Sequence, residues 1–114
     1  MFEFNNKRNF YNLLFNVNQI YVEPELIEEY IKFSQKLNNY LFNRYSRYYA
    51  GLQLYQSKED KCHFTVIAAY YNIPNICEYV REIGAEIASI YEYVWGDNVR
   101  RVSSFSFCDA KRFI

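Results

Sequence analysis

A chain of 114 residues has the size of one domain and is long enough to bury a core without staples. Its 13 basic and 13 acidic residues cancel, which excludes the strong global field that draws a protein onto nucleic acid or an anionic membrane. The anomaly is 13 Tyr and 10 Phe: A/T-rich codons account for it, as in the genome of a virus or other mobile element, and tyrosine also gives any contact surface an apolar body with a polar tip.

Residues 1–8 read as a polar lead-in and 9–114 as a single α+β domain. From Asn9 to Val22 the residues alternate, with Tyr11, Leu13, Phe15 and Val17 on one parity and Asn12, Asn16 and Asn18 on the other. This predicts a half-buried strand. The asparagines also break the apolar run that follows Lys7 and Arg8, so no secretory leader is expected. Glu23-Pro24 then signals a helix start, with proline in the first turn and acidic residues after it. Leu26, Tyr30, Phe33, Leu37 and Tyr40 form one stripe, and the helix is expected to reach about Tyr45.

Tyr48–Gln56 and Cys62–Tyr71 read as two strands around the charged turn Ser57–Lys61, a hairpin without an Asn-Gly signal. Asn72–Asn75 ends that pair. A second helix follows Pro74, with a stripe at Ile76, Val80, Ile83, Ile87, Ile90 and Val94. Cys77, Gly84, Ala88 and Tyr91 make a smaller row beside it. Gly96-Asp97-Asn98 stops the helix, and Val99–Cys108 reads as the last strand.

The two helical segments echo one another 50 residues apart, from Pro24/Pro74 through Tyr30/Val80 and Leu37/Ile87. Each is flanked by strands. The predicted architecture is a ferredoxin-like β-α-β-β-α-β sandwich, an antiparallel four-stranded sheet with two helices on one face. Leu13, Phe15, Val17, Leu52, Leu54, Phe64, Val66, Phe105 and Phe107 are the expected covered face. Asn16, Asn18, Gln53, Tyr55, His63, Thr65, Arg100, Ser104 and Ser106 are the expected open face.

Chemistry-bearing motifs are sparse. There is no glycine-rich phosphate loop, and His63 is the single histidine. Cys62, Cys77 and Cys108 are odd in number with no C-x-x-C spacing, which predicts three free thiols in a reducing cytoplasm. No catalytic residue, metal or cofactor is expected, and the chain reads as a non-enzyme. The stretch Lys61–Ala68 fits an RNA-recognition signature only at Lys61 and Val66. The uncharged apolar run Phe64–Tyr71 falls far short of the ~20 residues of a membrane span.

Two functional expectations remain. The first is a homodimeric interaction module, pairing through the broad apolar face of the second helix or through the open sheet face. The second is nucleic-acid binding at the helix-to-strand corners, where Arg44, Tyr45, Arg47, Tyr48 and Tyr49 interleave cations with aromatics and Arg100 and Arg101 open the last strand.

Overall fold

The computed structural model describes residues 13–114. The expected lead-in, residues 1–8, and the start of the expected first strand, residues 9–12, lie outside the described residues. Strand β1 (Leu13–Val22) leads through a 3₁₀ turn at Pro24–Leu26 into helix α1 (Ile27–Arg44). Strands β2 (Tyr49–Gln56) and β3 (His63–Tyr71) follow, then helix α2 (Ile76–Val94) and strand β4 (Val99–Ser106). Short 3₁₀ turns at Gly96–Asn98 and Phe107–Asp109 flank β4. Among the described residues the class is α+β: two helices and one four-stranded antiparallel sheet, in the order β2-β3-β1-β4.

Local chemistry explains the punctuation. Pro24 sits in the first turn before α1, and Glu25, Glu28 and Glu29 complement its positive end. The β2–β3 turn is built by side chains instead of glycine. Ser57 Oγ accepts from the amides of Glu59 and Asp60, and Asp60 Oδ1 accepts from the amide of Cys62. Gly51 lies at a bulge in β2 with φ 128°, a backbone region that side-chain-bearing residues rarely adopt.

The 50-residue echo survives as burial. Tyr30 and Val80, Leu37 and Ile87, and Leu41 and Tyr91 are all buried. The stripes end one residue later than expected. Tyr40 is 43% exposed while Leu41 is fully buried, because a step of four from Leu37 keeps the side chain over the sheet. A single core cluster joins both helices to Ile20, Val22, Phe64, Val66, Ala68 and Tyr70 of the sheet. Both helices therefore cover the same sheet face. Inside it, the Tyr30 and Tyr91 hydroxyls pair at 2.7 Å, and burial pushes both phenols up from their ordinary pKa.

Two facings differ from expectation. On β1 the inward residues are Asn16, Asn18, Ile20 and Val22, and Phe15 and Val17 face outward. Ile20 and Val22 are 0% and 3% exposed, and the strand period of two then fixes the parity of the whole strand. Asn16 is used inside: its Oδ1 accepts from the amide of Phe107 at 3.3 Å. On β4 the register against β1 slips between Val17 and Asn18, so Ser104 is an extra residue. That bulge moves Phe105, 47% exposed, onto the open face and turns Ser106 inward to line the cleft beside α2. Ser104 anchors the bulge by donating to the Val17 carbonyl at 3.1 Å. Leu52, Leu54, Phe64, Val66 and Phe107 pack toward the core as expected.

The thiol expectation is also corrected. Cys77, in the first turn of α2, and Cys108, just past β4, form a disulfide with Cα atoms 5.6 Å apart. Cys62 is the free cysteine. The argument for a reducing compartment therefore loses its footing. Among the described residues no helix is long and apolar enough to cross a membrane.

Candidate functional site

The expected nucleic-acid residues do not form one surface. β2 begins at Tyr49, opposite Tyr70 and hence at the Leu14 level of β1. β4 begins at Val99, opposite Val22, at the other end of β1. The two corners thus occupy opposite ends and opposite edges of the sheet. They are separated by about 26 Å along the strands and about 14 Å across them.

At the first corner most groups are already engaged. Arg44 Nε donates to Glu86 Oε1 at 3.0 Å and to the Tyr45 hydroxyl at 3.2 Å. The hydroxyls of Tyr40 and Tyr45 also donate to Glu86. Tyr48 stacks on Tyr79 of α2 with ring centroids 4.0 Å apart. Tyr49 is buried, and its hydroxyl donates to Asn38 Oδ1 at 2.7 Å. Arg47 is exposed. This corner is a clamp between α1 and α2.

The clamp has a pH signature. Hydrogen bonds from Tyr40 and Tyr45 hold the Glu86 carboxyl below its ordinary value of 4.5, with Arg44 adding to the effect against the opposing effect of burial. A lowered folded pKa gives stability that is fully present above the ordinary value and is lost as pH falls through the lowered one. Glu86→Gln is expected to cost a few degrees of melting temperature at most at neutral pH, because the pair is largely solvated. It should also flatten the stability profile on the acid side of pH 4.5. Melts of both proteins across that range check this.

At the second corner the two arginines part company, since neighbours on a strand face opposite ways. Arg101 turns inward, its guanidinium 5.5 Å from the centre of the Tyr91 ring. Arg100 turns outward and lies over Tyr21 at 4.5 Å. Tyr21 in turn stacks on His63, centroids 4.8 Å apart and nearly parallel. His63 Nε2 and Thr65 Oγ1 both bond to Gln19 Oε1, at 2.7 and 2.9 Å.

The open sheet face carries the residues that the alternation reading misassigned. Cross-strand register places Phe105, Val17, Ile67 and Gln53 in one row. Val102, Gln19, Thr65 and Tyr55 form the next row, and Arg100, Tyr21 and His63 lie beyond it. Val102 and Tyr55 are 40% and 51% exposed. The face is thus an apolar centre with a polar and aromatic end, and Arg100 is its one fixed charge among the described strand residues. The residues that decide this facing are Ile20 and Val22, which are apolar on the other parity and the more deeply buried.

The second helix offers less surface than expected. Tyr91 is buried, Cys77 is in the disulfide, and Gly84 lines an internal cavity. No protein-family model matches the chain, and no curated protein shows significant similarity to it.

Proposed function

We propose that this chain is a non-enzymatic interaction module of ferredoxin-like topology that pairs with a second copy through the open face of its sheet. Read from the other edge, the strand order is β4-β1-β3-β2 with a helix in each crossover, which supports the ferredoxin-like reading. The observation that carries the pairing is the contiguous apolar centre formed by Val17, Ile67, Val102 and Phe105 on a face that neither helix covers.

Size and charge agree with this reading. Four strands spaced about 4.8 Å apart, with a ten-residue central strand, span roughly 600 Å² before side-chain relief is added. A standard interface uses about 800 Å² per partner. The two-fold pairing of identical faces would bury the same apolar row on both copies. A net charge of zero adds little repulsion.

Sedimentation equilibrium is the test. The protein should behave as a dimer at micromolar to tens-of-micromolar concentration, and Phe105→Glu should be monomeric with a melting temperature close to that of its parent measured as monomer. A monomer throughout would overturn the proposal. A monomer that binds single-stranded oligonucleotides in a salt-sensitive way, with binding lost on Arg100→Ala, would move the face to nucleic acid through its Arg100–Tyr21–His63 stack.

A further inference from the structure

Between α2 and β4 lies an open cleft of about 200 Å³, walled by Arg81 on the helix and by Arg101, Ser103 and Ser106 on the strand. Its floor is Asn16 and Asn18, the two asparagines that β1 turns inward. The same asparagines and Arg101 border a deeper enclosed cavity of about 50 Å³. Gly84 also lines that cavity and leaves open space where a side chain would begin.

The equivalent place in the first half of the chain is different. There, 50 residues earlier, Ile31 stands at the position of Arg81 and Asn38 at that of Ala88. Asn38 bridges helix to strand by accepting from the Tyr49 hydroxyl and the Leu52 amide. The second half has no such bridge among the described residues, and cations and small hydroxyls line the gap instead.

Charge in this cleft is not balanced. The one ion pair among the described residues joins Arg44 to Glu86, so neither Arg81 nor Arg101 is paired there. Asp109 lies on the same cleft without pairing with either. Arg101 is half-buried, and its charge is felt by the phenols of Tyr30, Tyr70 and Tyr91. The electrostatic partner of the Arg101 guanidinium is the face of the Tyr91 ring, 5.5 Å away, and no carboxylate among the described residues pairs with it.

We propose that this cleft binds a small molecule through an oxyanion group, a phosphate or a carboxylate. Arg81 and Arg101 supply the positive charge, and guanidinium forks match the geometry of either anion. Ser103, Ser106 and Asn18 supply neutral donors and acceptors for a polar body. The volume holds about seven waters' worth of ligand, well below the ~300 Å³ of ordinary drug-sized pockets, so the occupant is small. The site is on the opposite side of the sheet from the pairing face, and it stands or falls independently of that reading.

Titration with inorganic phosphate and, separately, with acetate tests this, followed by amide chemical shifts at constant ionic strength. Saturable shifts are expected at Asn18, Arg101 and Ser103 with one or both probes and not with chloride, and the probe that acts identifies the source. Arg81→Gln and Ser103→Asp, both at exposed positions, should weaken binding by at least about tenfold while the protein stays folded. No saturable shift with either probe, or an affinity in both variants equal to the parent's, would overturn the proposal.

Discussion

Reducing the Cys77–Cys108 bond is expected to lower the melting temperature by roughly 10–15 °C. The bond closes a separation of 31 residues, and a cross-link of that span constrains the unfolded chain by about 3–4 kcal/mol in the loop-entropy account. In a domain of this size each kcal/mol moves the midpoint by about 4 °C. The bond also ties the first turn of α2 to the turn after β4, next to Phe107, which packs near Tyr70 with ring centroids 6.3 Å apart. Melts with and without a phosphine reductant, and of the double variant Cys77→Ala/Cys108→Ala, give the number. A thiol assay on the unfolded, unreduced protein should find only Cys62. Three free thiols and identical melts would refute the pairing.

Truncating Phe64 should cost even more. Phe64 lies at the centre of the core at 1% exposure, its ring 5.3 Å from that of Tyr30. Phe64→Ala removes the buried ring and leaves a cavity, for an expected loss of about 3–5 kcal/mol. That is a large fraction of the roughly 5–15 kcal/mol that stabilises a typical domain. Phe64→Leu should keep most of it, losing roughly 1.5 kcal/mol or less. The informative partner is Phe105→Ala on the open face, expected to change the unfolding free energy of the monomer by less than about 0.5 kcal/mol. Denaturant unfolding of the three variants separates the two phenylalanines. Equal losses at Phe64 and Phe105 would contradict the bulge at Ser104.

The elements that the sequence made legible are those with strong local chemistry. Pro24 and Pro74 mark the two helix starts, and stripes at period 3.6 give the buried Tyr30 and Leu37 of the first helix and Ile76 to Ile87 of the second, while Ser34 is buried where the stripe had Phe33. The hairpin was legible from its β-rich arms, although Ser57 and Asp60 do the turning. β1 misled because apolar residues occupy both parities: Leu13, Phe15 and Val17 on one, Ile20 and Val22 on the other. Only the deeper burial of the second pair decides between them. The β4 bulge inserts one residue with no glycine to announce it, so Phe105 changed face without a local signal.

Long-range pairings were hidden for a different reason. Cys77 and Cys108 meet only because the fold returns β4 alongside β1, which brings its end toward the start of α2. Glu86 likewise draws in Tyr40, Arg44 and Tyr45 across two helices, a set of contacts between residues more than 40 positions apart. The split between Arg100 and Arg101 was readable from strand periodicity alone, since adjacent strand residues cannot share a face. It is that split that gives one arginine to the open face and the other to the polar cleft.

The pairing of two open faces is tested most directly by intermolecular nuclear Overhauser effects in a sample that mixes isotope-labelled and unlabelled chains. The predicted result is contact between the Phe105 ring of one copy and the methyl groups of Val17, Ile67 or Val102 of the other. Intermolecular contacts confined to the exposed end of α2 at Tyr93 and Val94, or none at all, would contradict it.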